Sequence, residues 1–482
     1  MPKLLVVLFL LFTPLVAPAA DWNQWRGSSR DGSTQGPPLV DSLPETGVAP
    51  LWRSEPLPAA DNGGWSSPVI EGGKLYLFAH KKTKVGDSDL GPTQFPWLPT
   101  DKRGGMSAEE YEQYEVNRRD EQERRAKNFR YDETVYCLDA LTGKQLWANE
   151  EKSFYTRFPQ STTPVVGDGR LYVAGAARVI RCLDAKSGET LWTVRLPGPF
   201  RDEIMQASPL LVDGLVVVSV GALYALDAQT GEIRWRFDTE SDKASHSSPV
   251  AWRHADQTYV IACLADGETV CLDLLTGAKK WQVDTMSSGS TPIVLGDTLL
   301  TYGSSRKGGL RRYDLSPTGL ELRWNYQRSA DPGSSPVVVG DYVYVQGEKR
   351  LACVNLESGE AEWSTTLDRE RPRYTSPIAG AGKVFYTFES ILCFDATPED
   401  FTPFYDGKLS KDGVLATEEA YRKKLNLDEL EKTAEGQKEA ERLRREVFEK
   451  SEPLACASPA LVDGRLYLRL RDRIICFDLR RP

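Results

Sequence analysis

Histidine and methionine are scarce in this chain, and the common metal-binding spacings are missing. Its 482 residues include four methionines and three histidines, at His80, His246 and His254. No Cys-x-x-Cys or His-Glu-x-x-His spacing occurs, and no two cysteines are adjacent. The sequence therefore lacks the usual signatures of a zinc site and of haem attachment. We expect neither metal nor haem from these motifs.

Long hydrophobic runs are also missing after the first residues. Lys3 precedes an apolar stretch over 4–12, and the small residues of Ala17-Pro18-Ala19 follow. This pattern is typical of a signal peptide, and the apolar stretch is too short to span a membrane. We predict a cleaved signal peptide over 1–19 and a single domain over 20–482, without a membrane span. The predicted location is periplasmic or secreted, because no lipoprotein cysteine follows the cleavage site.

Basic residues are outnumbered by acidic ones. The chain has 60 Lys and Arg against 69 Asp and Glu, a formal net charge of -9. This balance argues against a nucleic-acid partner held by a general basic field, although it does not exclude a local basic face. We expect no nucleic-acid partner, and we expect a monomer.

What the sequence does contain is a repeat. An eleven-residue motif first appears over 137–147 (CLDALTGKQLW) and returns over 182–192, 225–235, 271–281 and 353–363, with a stretched copy over 312–324 and truncated copies near Cys393 and Cys476. A Ser/Thr-Pro dipeptide opens each unit, with its proline at Pro68, Pro164, Pro209, Pro249, Pro292, Pro336, Pro377 and Pro459. Five successive intervals between these prolines are 40 to 45 residues long. That period is typical of a four-stranded propeller blade. The sequence predicts an all-β, eight-bladed propeller of antiparallel blades.

The two longer intervals predict insertions. They are 96 and 82 residues long, and each contains one blade plus a charged, mainly helical segment, at about 81–133 and about 398–452. Such segments lie over one face of the propeller as a lid or project as solvated decoration. The sequence leaves both alternatives open.

The ring is predicted to close through its two ends. The last unit stops after Asp478, before a tryptophan, and Trp52 precedes the first unit without strands of its own. Assigning Trp52 to the last blade removes two exposed sheet edges. The motif tryptophans are predicted to dock each blade onto the next, at Trp52, Trp147, Trp192, Trp235, Trp281, Trp324 and Trp363.

The recurring aspartates and cysteines are predicted to be structural. Asp139, Asp184, Asp227, Asp273 and Asp314 recur at the blade turns, where a carboxylate accepts hydrogen bonds from turn amides. Six cysteines occupy one repeated position, and equivalent positions in neighbouring blades lie too far apart for a bridge. We expect these six thiols to be free. The state of Cys263 and Cys456 stays open.

The mouth of the central channel is the predicted ligand site. The loops that enter the inner strands supply aromatic, amide, imidazole and guanidinium groups that suit a polar, planar ligand. The candidate ligand-binding residues are Trp65, Gln160, Ser161, Gln206, His246, Ser288, Arg373 and Tyr374. Because this set contains no paired carboxylates, we predict no catalytic residue.

The repeated motif resembles that of the quinoprotein (PQQ-like) propellers, over essentially the whole mature chain. The segment Asp21-Trp22-Asn23-Gln24-Trp25-Arg26-Gly27 looks like the entry segment of exported bacterial BamB-like proteins. This resemblance implies a non-catalytic module that binds a protein or peptide partner, in envelope protein assembly, with no cofactor.

Two alternatives remain. One is an alcohol or sugar dehydrogenase that uses PQQ and calcium; for the alcohol dehydrogenases the resemblance also implies a disulfide between adjacent cysteines, which this chain lacks. The other is a carbohydrate-binding propeller, in which Trp65 and Trp97 are exposed on one face.

Overall fold

Eight antiparallel sheets form the blades of a propeller in the computed structural model of the chain. It describes residues 21–86, 90–201, 206–239, 245–369, 374–448 and 452–481, so the predicted signal peptide lies outside the described residues. Seven pairs of neighbouring inner strands contact one another, and among them the inner strand of blade 8 contacts that of blade 1. The predicted eight-bladed architecture is confirmed.

Blades 1 to 4 each run from the inner to the outer strand in chain order. Blade 1 contains Val69–Glu71, Lys74–Lys84, Phe129–Asp139 and Gln145–Lys152. Blade 2 contains Val165–Gly167, Arg170–Ala174, Val179–Asp184 and Thr190–Arg195. Blade 3 contains Leu210–Val212, Leu215–Ser219, Ala222–Asp227 and Ile233–Asp238. Blade 4 contains Val250–His254, Gln257–Cys263, Glu268–Asp273 and Lys279–Asp284.

Blades 5 to 8 continue this order, with additions from the N-terminal part of the chain. Blade 5 contains Ile293–Leu295, Thr298–Tyr302, Leu310–Ser316 and Gly319–Tyr326. Blade 6 contains Val337–Val339, Tyr342–Gly347, Arg350–Asn355 and Ala361–Thr366. Blade 7 contains Ser33–Thr34, Ile378–Gly380, Lys383–Phe388, Ser390–Asp395, Pro403–Leu409 and Leu415–Thr417. Blade 8 contains Ala460–Val462, Arg465–Arg469, Ile474–Asp478 and, as its outer strand, Trp52–Arg53.

The helices lie in the two segments that interrupt blades 1 and 7. Helix α1 spans Ala108–Ala126, and Ser107 caps it through a capping box with Glu110. The second segment contains α2 (Glu418–Leu425), α3 (Leu427–Leu430) and α4 (Ala434–Phe448), and short 3-10 turns span Thr100–Lys102 and Ala176–Arg178. Among the described residues, no helix is long and apolar enough to cross a membrane.

The outer strand of blade 7 lies inside the range predicted as the second insertion. Tyr405 of this strand pairs with Cys393 in the register in which Trp147 pairs with Cys137. Tyrosine thus occupies the position that tryptophan holds in the other blades. Because the motif is recognised by its tryptophan, the sequence does not identify this strand. In blade 1, the two strands around the first insertion continue into the predicted range, since Lys84 pairs with Phe129.

A ring of hydroxyl groups joins the blades around the central channel. In seven of the eight blades, the serine or threonine before the opening proline donates its N–H to the hydroxyl of its counterpart in the next blade. Seven such bonds, each 2.9 to 3.0 Å long, run between the members of what we call the hydroxyl ring: Ser67, Thr163, Ser208, Ser248, Thr291, Ser335, Ser376 and Ser458.

The motif tryptophans join the blades at the outer strands. Six donate their indole N–H to a backbone carbonyl of the following blade, at 2.7 to 3.2 Å: Trp52, Trp192, Trp235, Trp281, Trp324 and Trp363. The rings of Trp52, Trp192, Trp235 and Trp324 pack on turn glycines; Gly143 has a φ of +71°, and a Cβ there would lie 2.3 Å from the Trp52 ring. Only glycine fits both this backbone conformation and this contact.

The motif aspartates bind the turns that the tryptophans cover. Asp139 accepts the N–H groups of Leu141 and Thr142, and equivalent bonds form at Asp184, Asp227 and Asp273. Asp314 pairs instead with Arg323, because the stretched copy has a different turn. All eight cysteines are free.

Removal of one hydroxyl from the ring is expected to destabilise the fold. Ser335 is fully buried, and its Oγ accepts the Thr291 N–H at 2.9 Å. Ser335→Ala leaves that N–H without a partner, so we expect the free energy of unfolding to fall by about 1–3 kcal/mol in urea titrations. Ser335→Thr keeps the hydroxyl and serves as the control. Equal losses in the two variants would contradict a role for the hydrogen bond.

Replacement of Trp52, which closes the ring, is expected to lower the free energy of unfolding more than the loss of the Ser335 hydroxyl does. Trp52 is 7% exposed, and its indole N–H donates to the Ala140 carbonyl of blade 1. Trp52→Ala creates a cavity at the closure, and we expect a loss of about 3–5 kcal/mol in the free energy of unfolding. Trp97→Ala is the control, because Trp97 is 61% exposed and should change stability by less than about 0.5 kcal/mol.

Candidate functional site

The central channel opens into a cavity of about 330 Å³ on the face formed by the loops that enter the inner strands. Four aromatic side chains line it, Trp25, Trp65, Phe158 and Tyr374. Polar and small groups complete the described lining: Ser161, Gln206, Ser208, His246, Ser248, Gly289, Gly333 and Cys456. This volume lies at the lower end of the range found for small-ligand pockets.

Five of the eight predicted ligand-binding residues line this cavity, namely Trp65, Ser161, Gln206, His246 and Tyr374. Gln160 is buried beside it, with its N–H donated to His80 Nδ1 at 3.3 Å. Ser288 accepts a hydrogen bond from Ser245 through its carbonyl, while the adjacent Gly289 lines the cavity. Arg373 lies outside the described residues. Ligand binding by these residues stays a prediction.

Trp25 belongs to a segment whose role the sequence does not reveal. Residues 21–34, here called the entry segment, bond to several blades: Trp22 pairs with Ile70 of blade 1, and Ser33–Thr34 pairs in parallel with blade 7. The segment occurs once in the chain, so the repeated units do not predict where it lies.

Two arginines of the entry segment are fully buried at the hydroxyl ring. Arg26 Nη1 donates to the Ser335 carbonyl at 2.9 Å, and Arg30 Nη1 donates to the Pro209 carbonyl at 2.8 Å. Arg30 Nη2 also donates to the carbonyl of Ser208, a residue that lines the cavity. The entry segment therefore occupies the channel beside the cavity and binds the ring through its carbonyl groups.

Burial of these guanidinium groups changes their acidity. Desolvation lowers the pKa of Arg26 to about 10, although nearby Asp31 opposes the shift, and lowers the pKa of Arg30 to about 9. Both groups are still cationic at neutral pH. They place positive charge at the channel next to the cavity, in a setting where water screens it weakly.

Two titratable groups of the described lining, Cys456 and His246, are uncharged at neutral pH. Burial raises the pKa of Cys456 to about 12, so its thiol is protonated. His246 is open to solvent at the rim, yet desolvation by the surrounding blades lowers its pKa. The cavity wall therefore offers aromatic surface and neutral hydrogen-bonding groups.

A buried carboxylate behind the cavity holds its rim in place. Asp331 accepts the N–H groups of Gly333, Ser334 and Tyr374 and the side-chain amide of Gln346. Burial raises the pKa of Asp331 above its ordinary value. Tyr374 has a φ of +61°, a conformation that is unusual for a non-glycine residue. We infer that the bond from Asp331 stabilises this orientation of Tyr374.

The described lining does not fit a calcium-bound quinone. Calcium binds six to eight oxygen ligands, usually including carboxylates. The described residues of the cavity wall include no carboxylate, and nowhere in the described ranges do three or more His, Cys, Asp or Glu side chains form a metal-binding group. Asp331 already accepts four hydrogen bonds. We therefore derive no chemistry through such a cofactor.

The fold and the repeated motif define a PQQ-like β-propeller. Residues 131–293 and 254–389 match the model of the family described as outer membrane protein assembly factor BamB. These ranges together cover more than half of the chain, and the chain belongs to this family.

Quinohemoprotein dehydrogenases are also similar. The alcohol dehydrogenase ADH-IIG of Pseudomonas putida is 27% identical over 186 residues, which cover 34% of this chain and 25% of that protein. The match thus spans about a quarter of the relative's length. The solved ADHIIG structure from Pseudomonas putida HK5 has a TM-score of 0.56 at 11% identity, over 95% of this chain and 80% of its own. The solved quinohemoprotein alcohol dehydrogenase from Comamonas testosteroni has a TM-score of 0.54 at 12% identity, over 96% of this chain and 81% of its own. At such low identity, the similarity to these two solved structures shows a common fold.

Acidification is expected to destabilise the loop beside the cavity through His80. This imidazole is 1% exposed, accepts the Gln160 N–H at Nδ1 and lies 3.0 Å from the Phe154 carbonyl through Nε2. Burial lowers its pKa below the usual 6.5. The unfolded chain therefore takes up a proton before the folded chain does, and stability falls as the pH drops from about 7 towards 5.

Urea unfolding midpoints at pH 7.5 and 5.0 check this expectation. His80→Gln should lose less stability between the two values than the wild type loses. His254→Gln is the matched control, because the His254 side chain is only partly buried and lies in blade 4, where it pairs with Asp297. An unchanged pH dependence in His80→Gln would contradict the assignment.

Proposed function

We propose that the protein is a non-catalytic binding propeller that holds a segment of a protein partner at the mouth of its channel. The observation that carries the proposal is the cavity itself. It has aromatic and neutral polar walls, it lies next to the occupied channel, and its described lining contains no carboxylate pair. Such a site suits the recognition of a side chain better than acid–base chemistry.

The rim of the cavity supports a macromolecular partner. Phe158 is 43% exposed in the loop between blades 1 and 2, and Tyr374 is 42% exposed across the cavity. Exposed aromatic side chains around a pocket are typical of protein interaction sites. Membership in the BamB family agrees with this proposal, and we infer an exported protein that acts in envelope protein assembly.

The second candidate is a quinone-dependent dehydrogenase. The similarity to quinohemoprotein alcohol dehydrogenases favours it. The described cavity wall opposes it, since it supplies no ligand set for calcium. The two candidates predict different ligands, so one set of binding measurements separates them.

A urea-unfolded, dye-labelled outer-membrane β-barrel polypeptide, diluted into buffer, is the probe for partner binding. We expect fluorescence anisotropy to detect saturable binding to the wild type. Trp65→Ala removes a large aromatic surface from the cavity, and we expect the Kd to rise roughly thirtyfold. Trp97→Ala, an exposed tryptophan of the first insertion, should bind like the wild type.

Thermal melts with PQQ and excess calcium form the second arm. The binding proposal predicts no shift, whereas a specific ligand at about a hundred times its Kd stabilises the folded state by about 2.7 kcal/mol. A calcium-dependent shift without polypeptide binding would favour the dehydrogenase. If the polypeptide does not bind and PQQ causes no thermal shift, both functions are rejected.

A further inference from the structure

The wall of the cavity contains one residue from each blade, always at the same place in the loop that enters the inner strand. This residue lies three positions before the opening proline, as Gln206 does before Pro209. Because the blades follow one another around the axis, the order of these residues in the chain is also their order around the cavity. We call the set the mouth ring: Trp65, Ser161, Gln206, His246, Gly289, Gly333, Tyr374 and Cys456.

Blades 7, 8 and 1 form an apolar arc of the mouth ring. They supply Tyr374, Cys456 and Trp65. The thiol of Cys456 is protonated, because burial raises its pKa to about 12. Trp25 of the entry segment and Phe158 add two further rings to the wall of the same cavity. This arc therefore offers aromatic surface without charge.

Blades 2, 3 and 4 form a polar arc. Ser161 is engaged within the protein, because its Oγ accepts the Trp65 backbone N–H at 3.1 Å and donates to the Pro159 carbonyl at 3.4 Å. Among the described residues, neither the Gln206 amide nor the neutral His246 imidazole has a hydrogen-bond partner. Each of these two side chains carries both a donor and an acceptor. In a ring of eight blades, blade 3 lies opposite blade 7 and blade 4 opposite blade 8, so the two groups face the apolar arc.

Glycine occupies the mouth ring in blades 5 and 6. A Cβ at Gly333 would lie 2.5 Å from Cδ1 of Tyr374, and a Cβ at Gly289 would collide with the Pro332 carbonyl oxygen. The Tyr374 ring therefore packs over Gly333, and neither of these two blades adds a mouth-ring side chain to the cavity. The cavity of about 330 Å³ is thus one space, of a size that suits a single aromatic side chain.

The two arcs distinguish between the classes of side chain that could enter. A purely apolar side chain covers Gln206 and His246 and leaves their polar groups unpaired, which costs free energy. A carboxylate loses its hydration against the aromatic arc. A lysine or arginine side chain meets a buried cation, since the Arg26 guanidinium lies 5.7 Å from the centre of the Trp25 ring. A phenol suits both arcs, because its ring is apolar and its hydroxyl both donates and accepts.

We propose that the mouth ring binds the side chain of a tyrosine in the partner segment. The tyrosine ring lies against Trp65 and Tyr374, and its hydroxyl forms hydrogen bonds with Gln206 and His246. Tryptophan matches the polar arc less completely, because its indole donates one hydrogen bond and accepts none. This inference rests on the proposed function and names the side chain that the cavity selects.

Two blocked peptides, Gly-Gly-Tyr-Gly-Gly and Gly-Gly-Phe-Gly-Gly, are the probes, since they differ by a single hydroxyl group. Their binding to the full chain is measured by ligand-observed NMR titration. We expect the Kd of the tyrosine peptide to be about tenfold lower than that of the phenylalanine peptide, which leaves the polar arc unpaired. Trp65→Ala should weaken the binding of both peptides, because both rings use this aromatic surface.

Removal of the polar arc is expected to abolish the preference for tyrosine. Gln206→Leu keeps the approximate size of the side chain, and we expect it to weaken the binding of the tyrosine peptide about tenfold and not that of the phenylalanine peptide. His246→Leu changes a different loop and should also reduce the preference. Gln229→Leu is the matched control, because Gln229 is exposed in the turn between the third and fourth strands of blade 3.

Equal affinities of the two peptides for the wild type overturn the inference, as does the absence of binding by the tyrosine peptide. An unchanged preference in the variants that thermal melts show to be folded also overturns it. If the unfolded β-barrel polypeptide still binds in a Trp65-dependent manner, the proposed function survives these results. If neither the polypeptide nor the tyrosine peptide binds, both proposals fail.

Discussion

The hydroxyl ring is the interaction on which the rest of the structure depends. Eight inner strands converge on one axis, and the proline that starts each of them has no N–H to donate. The preceding serine or threonine supplies the hydrogen bonds instead. Its N–H donates to the hydroxyl of the next blade, and its own hydroxyl accepts from the N–H of the previous blade. Seven of the eight pairs of neighbouring blades are joined in this way at the axis, and the docking tryptophans join blades again at the outer strands.

The same ring determines what the channel holds. With the ring N–H groups and hydroxyls joined to each other, carbonyls of the opening residues are free to accept from the entry segment. Arg26 and Arg30 bind the carbonyls of Ser335, Pro336, Ser208 and Pro209. A guanidinium group donates several hydrogen bonds in a fixed plane and keeps its charge when buried, which suits this position. The site next to the ring is thus a short cavity with a positive charge beside it.

The repeated parts of the fold follow from the sequence, and the parts that occur once do not. The turn at Asp139, the blade count and the closure through Trp52 are all expressed in periodic motifs. The strand with Tyr405 departs from the motif, so the sequence predicts an insertion there. The contacts of Arg30 join residues far apart in the chain, and no periodic motif indicates them. At the site, loop position alone predicted Trp65, Ser161, Gln206, His246 and Tyr374, and Cys456 occupies the same loop position in blade 8, whereas Trp25 of the unrepeated entry segment enters only through tertiary packing.

A propeller of eight similar blades offers eight similar loop entries, so specificity has to come from what breaks the symmetry. Here Trp25 of the entry segment forms part of the cavity wall, and helix α1 of the first insertion lines a groove of its own. A scaffold shared with dehydrogenases therefore does not carry their chemistry by itself. The unrepeated residues distinguish this cavity from a plain ring of loop entries, since Trp25 adds aromatic surface to its wall and the buried cations Arg26 and Arg30 lie beside it.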